Sequence, residues 1–591
     1  MFVQIFFKVK KFWAVVASIF VKRVGVVAAQ VTLKGFGRLE VGIANIAVKF
    51  DGGVSIFEML DDVALPGKMF LAHLAAITLF FCHRLRGTVT ASRSRETEAM
   101  EHELTHLYAG YGGQSATEAR SRSDTLDLFS GVPSETDMRG SMTSYINPCS
   151  AIQDGEPIKF TINAVPNHYL DLGTAKLKGV VKIVRVDKAT NEEKPYVTRN
   201  VSVCNYFPAA LFSALDVNIM GRSVSKMASP NLHMKMYLQT LLSYGSEAKM
   251  SHLRAAGWCM DEAETFDDFE GLGYKSRRGA FDKGIDVDFM LPLNVDIFSI
   301  HKLFPDFLDI DITFHRTRDS IPLRAVDAVE DETIKKSDED VAALTPAAKI
   351  KYDAKIAKDK ANVEEANKST YKIRIKNLTL IVRRILIQQN LVKHHQHLLN
   401  GGKLLRYPVT RTEIKELCQI NTDTKSLVVN QLYSGRLPNN LIIGLIPSKA
   451  LQGDFALNPF NFGNHNVCSI YLEVNQKIVP AGGYKPQFDK GLYSKEFYGL
   501  FENTGIHFSN NGNAISPKLF KDGCCLYAFD LSPDLCLNYH THMEEFGLIT
   551  LHIQMTECPQ KALTPISFAS FDDVLCINSN GECFYELAGA S

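Results

Sequence analysis

The chain has 591 residues, enough for roughly two to four domains, and carries 65 Lys+Arg against 65 Asp+Glu. A formal net charge of zero argues against bulk nucleic-acid binding, which requires a positive excess to neutralise phosphates. The 12 cysteines contain no Cys-x-x-Cys pair, which excludes a zinc ribbon and makes a disulfide framework a poor reading; they read as buried thiols of a reducing compartment.

Taken in chain order, the first hundred residues differ from the rest. Phe12 to Phe20 is an apolar run flanked by Lys10, Lys11, Lys22 and Arg23, and Met69 to Cys82 is a second, interrupted only by His73 and Thr78. Neither reaches the roughly 18–20 residues needed to span a bilayer. The first run has the outline of a weak signal peptide ending at Val27-Ala28-Ala29. Residues 1–99 are read as an extension of unknown role, unrelated to the core and of the kind a gene-model artefact produces, with an arm, an anchor or a signal as the other readings. Met100 is an alternative start, and 100–139 would then be an N-terminal arm.

From about residue 120 the pattern turns to period two. Ile285, Val287, Phe289 and Leu291 alternate with Asp286 and Asp288; Leu308, Ile310, Ile312 and Phe314 alternate with polar residues; Ile549, Leu551, Ile553 and Met555 do the same. Further strands are expected at Ile158–Ile162, Leu177–Val186, Ala214–Ile219, Lys372–Ile387, Leu441–Ile446 and Cys468–Val474. Many short strands with few helical patterns predict antiparallel sandwiches or jelly rolls. Residues 326–369, rich in Ala, Lys, Asp and Glu, read as a charged, helix-prone insertion without an apolar stripe. A faint internal echo suggests duplication. Leu215-Asp216-Val217-Asn218 precedes Val224 and the amphipathic Tyr237–Gly245, as Leu472-Glu473-Val474-Asn475 precedes Val479 and Phe497–Gly505.

An ordered set of motifs carries a resemblance. Its members are Leu126-Asp127-Leu128-Phe129, Gly155-Glu156-Pro157-Ile158, Tyr169-Leu170-Asp171-Leu172, Leu211–Asn218 with Tyr237–Gly245, Asn458-Pro459-Phe460-Asn461-Phe462, Gly491-Leu492-Tyr493, Gly499-Leu500-Phe501 and Leu526–Leu531. Through them residues 124–586 resemble the major capsid proteins of Polinton (Maverick) elements and adintoviruses, endogenous copies of which are found in animal genomes. The resemblance implies an all-β double jelly roll: two antiparallel eight-stranded β-sandwiches side by side, with short helices and the charged helical insertion. The first roll is expected at 140–390, a linker helix at 391–403, the second roll at 404–586 and a tail at 587–591. It further implies a hexon-like role without enzymatic activity or cofactor. Homotrimers of pseudo-hexameric outline would tile an icosahedral virion shell with a penton-like single jelly-roll partner. No specific nucleic-acid recognition is expected, and membrane contact stays open. Assembly would take place inside the host cell, in cytoplasm or nucleus, rather than after secretion.

Against this stand two alternatives. A domesticated jelly-roll binding protein would keep the fold without the shell. A zinc metallopeptidase is suggested by His102-Glu103-Leu104-Thr105-His106, in which two His one helical turn apart bind metal and Glu103 acts as base. Gly110, Gly112 and Gly113 follow too closely for a supporting helix, so no metal site is assigned. His394, His395 and His397, and the pair His540 and His542, read as surface histidines. The acidic run Asp261, Glu262, Glu264, Asp267, Asp268 and Glu270 lacks the spacing of a calcium loop and reads as a solvated loop; Lys275, Arg277 and Arg278 could pair with it across subunits. Arg93, Arg95, Arg120 and Arg122 offer an arm only a weak hold on nucleic acid.

Overall fold

The computed structural model describes residues 136–187, 192–194, 201–224, 231–325, 369–507, 512–533 and 544–586, with a few isolated positions besides. The HExxH segment, the N-terminal hydrophobic runs, the four arm arginines, the His540/His542 pair and nearly all of the 326–369 insertion lie outside these residues.

Among the described residues, sixteen main strands form the frame. In the first half they are β1 (Met138–Ile146), β2 (Ile158–Ile162), β3 (His168–Asp187), β4 (Phe212–Ile219), β5 (Arg222–Ser223), β6 (Val287–Pro292), β7 (Ile310–Arg316) and β8 (Ser369–Ile387). In the second half they are β9 (Leu405–Glu416), β10 (Ser426–Arg436), β11 (Asn440–Pro447), β12 (Val467–Val474), β13 (Lys477–Tyr484), β14 (Leu526–Asp530), β15 (Phe546–Met555) and β16 (Leu563–Ile577). Among the described residues, four helices of eight residues or more accompany them: α1 (Leu232–Ser243), α2 (Leu272–Ala280), α3 (Gln389–Asn400) and α4 (Ser494–Glu502).

The pairing repeats. In the first half one sheet runs β1-β8-β3-β6 and the other β2-β7-β4-β5; in the second half the sheets run β9-β16-β11-β14 and β10-β15-β12-β13. Every strand therefore has its counterpart eight places later, in the same sheet position and with antiparallel neighbours throughout. This is the eight-stranded jelly-roll connectivity, and the chain holds two copies of it: an all-β double jelly roll with few, short helices. The internal echo maps onto this repeat, since Leu215–Asn218 lies in β4 and Leu472–Val474 in β12, each followed by a hairpin partner and then by α1 or α4.

Residue chemistry explains the frame strand by strand. Ile158, Phe160 and Ile162 of β2 point inward, as do Ile310, Ile312 and Phe314 of β7, while Lys159 and Asp311 meet on the outer face at 3.0 Å. In β15, Ile549, Leu551, Ile553 and Met555 are buried and Thr550 and Gln554 face outward. The central strands β11 and β16 are apolar along most of their length because both of their faces are covered. A single apolar cluster extends from Ile158 to Ile577, so the two sandwiches share one core; α3 lies between β8 and β9.

Candidate functional site

The seam between the two sandwiches holds most of the unusual chemistry among the described residues. Helix α1 sits in it. Ten of its twelve residues are buried, including His233 and Lys235, as expected of a helix enclosed on all sides. The Tyr237 ring stacks on Phe460 of the second sandwich at 4.0 Å and 6°, and on Trp258 at 5.4 Å and 19°. Phe304 stacks on Tyr407 of β9 at 4.4 Å, and Tyr407 Oη donates to the Leu303 carbonyl. Gly523 takes φ +130°, and a Cβ there would sit 2.1 Å from Phe266, so only glycine admits this approach.

Edge strand β9 is closed off by the first sandwich. The Asp296 carboxylate accepts from the Thr412 N–H at 3.0 Å, while Lys235 Nζ donates to the Thr412 carbonyl at 2.8 Å and to Asp296 at 2.5 Å. Asn231 reaches Glu416 at 2.7 Å, and Lys302 reaches the Arg406 carbonyl at 2.9 Å. Open backbone groups at a sheet edge invite foreign strands, and here those of Thr412 and the Arg406 carbonyl are occupied from within the chain.

Beside this lies a buried ionic network. Arg277 donates to Asp261 at 2.8 Å, to the Val203 carbonyl at 2.8 Å and to the Cys259 carbonyl. Arg324 donates to the carbonyls of Phe266 at 2.6 Å and Ala456 at 3.2 Å. The Asn458 amide reaches Asp261 at 3.2 Å, and the two Asp267 oxygens accept from the Asn458 N–H and the Asn461 side chain. The acidic run is therefore not a purely solvated loop: Asp261 is 3 % exposed, and its partner Arg277 belongs to the same chain rather than to another subunit. Burial pushes the Asp261 carboxyl up from its ordinary value, and Arg277, Arg324 and Asn458 counter it. Such a buried network adds little net stability, because the desolvation it costs offsets most of its Coulombic gain.

The remaining candidates have structural surroundings. His394 and His397 are exposed on α3; His395 is half-buried, with Nδ1 2.9 Å from Tyr169 Oη, and burial lowers its pKa. His233 is buried against Phe460, and burial lowers its pKa to about 4. Cys204, Cys524, Cys525 and Cys576 are buried free thiols, with Cys204 pushed up to about 12 by desolvation. Among the described residues no group of three or more His, Cys, Asp or Glu could hold a metal ion, and no helix is long and apolar enough to cross a membrane. Sequence reasoning missed Lys235, Asp296 and Arg324 entirely. Asp261 had one local signal: it directly follows the apolar Trp258-Cys259-Met260.

Comparisons with known proteins agree with this architecture. No protein-family model matches the chain. An uncharacterized protein of Caenorhabditis elegans, F54H12.2, is 21 % identical over 212 residues, 35 % of this chain; the match spans half the length of that relative. Among solved structures, a chain of the Sputnik virophage structure is similar with a TM-score of 0.51 at 12 % identity, covering 79 % of this chain and 92 % of that one. The Faustovirus major capsid protein is similar at 8 % identity and a TM-score of 0.46, covering 80 % and 96 %. At such identities the Sputnik likeness establishes a common fold.

Proposed function

We propose that the chain is a structural major capsid protein of the hexon-like kind, related to those of Polinton elements and adintoviruses. Three copies, each with two jelly rolls, form a trimer of pseudo-hexameric outline that tiles an icosahedral shell. The observation that carries this reading is the duplicated connectivity closed by one continuous core: a subunit with two equivalent sandwiches places six similar units around a threefold axis. The fold held in common with a virophage chain supports the same reading. The chain then acts by assembly rather than turnover, inside the host cell and finally in the virion, with a penton-like single jelly-roll protein at the fivefold positions. The first roll would occupy 140–390 and the second 404–586, joined by a linker at 391–403.

Expression of the full chain, with light scattering after size exclusion and electron microscopy, tests this. Trimers of hexagonal outline that build larger shells are expected. A persistent monomer that fractionates with membranes would replace the reading with that of a domesticated binding protein. Stoichiometric zinc lost on His102→Ala would replace it with the peptidase.

A further inference from the structure

Lys249 is a buried cation that the seam leaves without a carboxylate among the described residues. It belongs to the short helix Ser246–Met250, which follows α1, and is 5 % exposed. Buried Lys235 has Asp296, and Arg277 has Asp261. The Lys249 amine has two main-chain carbonyls instead, Leu241 at 2.7 Å and Asn513 at 2.6 Å, with the Trp258 ring 5.4 Å away. A buried ammonium without a counter-charge gives up its proton more readily than one in water. Burial accordingly lowers the Lys249 pKa to about 8. Its titratable neighbour Cys524 supplies no counter-charge, because burial pushes that thiol well up and keeps it neutral. An uncharged lysine amine is a nucleophile.

The group it faces is an amide. Asn513 lies between α4 and β14 of the second sandwich and is 1 % exposed. Its Oδ1 accepts from the Ile515 N–H at 3.1 Å, which polarises the carboxamide carbonyl, while its Nδ2 is buried without a hydrogen-bond partner. An interior polar group left unpaired costs free energy, and expelling it removes that cost. The two segments approach closely, since a Cβ on Gly245 would stand 3.1 Å from the Gly512 carbonyl.

We infer that Lys249 and Asn513 form an isopeptide bond that joins the two sandwiches covalently. The amine swings from the main-chain carbonyl of Asn513 to the carboxamide of the same residue and attacks Cγ. The Nζ–Cγ bond forms and the carbonyl electrons move onto Oδ1, where the Ile515 N–H meets the developing charge. One amine proton passes to Nδ2, the Cγ–Nδ2 bond breaks, and ammonia leaves as the carbonyl re-forms. No oxidant, reductant or cofactor takes part. With no carboxylate at hand to relay the proton, the step is slow and follows folding. The link closes a separation of 264 residues, and a closure of that kind restricts the unfolded chain. It is independent of the assembly reading.

Intact-mass spectrometry of the full-length chain, incubated folded and then denatured, tests the bond. The wild type converts with time to a species lighter by one ammonia, and digestion yields a branched peptide joining Lys249 to Asn513. Conversion runs at least about tenfold faster at about pH 9 than at about pH 6, because the neutral fraction of an amine titrating near 8 grows by more than that. Lys249→Arg keeps a long cation without the nucleophile, and Asn513→Ala keeps the main-chain carbonyl without the electrophile; each abolishes the branched peptide. Near-ultraviolet circular dichroism checks that both variants fold, and should the arginine variant fail to, the alanine variant decides alone. A wild type whose two peptides stay unlinked after prolonged alkaline incubation overturns the assignment. So does a loss of ammonia that persists in Asn513→Ala, which would place the reaction at another residue.

Discussion

Helices α1 and α4 occupy the same place in two copies of one fold, between equivalent strands β5 and β6 or β13 and β14, and they have opposite fates. α1 is enclosed, carrying a buried lysine and a buried histidine; α4 leaves most of its surface open. Inside its own sandwich α4 is fitted closely. Gly499 lies so near Tyr484 that a Cβ would be 2.5 Å from its hydroxyl, and Asn503 bonds both Tyr484 Oη at 2.8 Å and the Ala528 carbonyl at 2.7 Å. The difference is thus one of neighbours rather than of fold quality: connectivity sets where a helix sits, and the adjoining sandwich sets whether its outer side is core or surface. β1 and β9 repeat the lesson at the sheet edge.

Four measurements press on this contrast, in descending order of effect. Phe460→Ala removes the ring that seals α1 and should lower unfolding free energy by about 3–5 kcal/mol, read from denaturant midpoints; a loss below about 1 kcal/mol would mean that the seam contributes little to a shared core. Asp261→Ala strands Arg277 in the interior and should cost a comparable amount, about 3 kcal/mol or more, with Asp261→Asn milder because its amide oxygen still accepts from Arg277, although its NH2 group then faces the donating Asn458 amide. The third is a pH effect. His233 has a folded pKa near 4, below its unfolded value of about 6.5, so the unfolded chain takes up the proton first. Stability is therefore retained above about pH 6.5 and lost as pH falls toward 4, by about 3 kcal/mol at most from this residue. His233→Gln should flatten that limb of the profile, and an unchanged slope would exclude the histidine as its source. Last, Tyr498→Ser on α4 should shift stability by less than about 0.5 kcal/mol, whereas Tyr237→Ser on α1 should be severely destabilising. Equal effects would erase the distinction between the two helices.

Much of the frame was legible along the chain. β2, β7 and β15 each bury one face against their own sandwich, so alternation in a few consecutive residues suffices to mark them. The duplicated segment around Leu215 and Leu472 was legible for a related reason: strand, turn and helix there are local, and equivalent local demands leave similar residues. The seam was not legible. Asp261 and Asn458 are 197 positions apart, and nothing near either residue states that the other will meet it. An Asp in an acidic run and an Arg in a basic one have the composition of a solvated loop, and only the approach of a second sandwich removes the water.

By itself, then, the sequence determined about half of the strands, with their inward faces, and hinted at a repeated unit, because these depend on periodicities within a few residues. It also determined the neutral overall charge that sets the chain apart from phosphate-neutralising proteins. Tertiary structure alone decided which of two equivalent helices became core, which of two equivalent edge strands was closed, and which charges were buried as partners. Those outcomes depend on surfaces brought together from distant parts of the chain. Burial is a property of the assembled neighbourhood, and no window of sequence contains it.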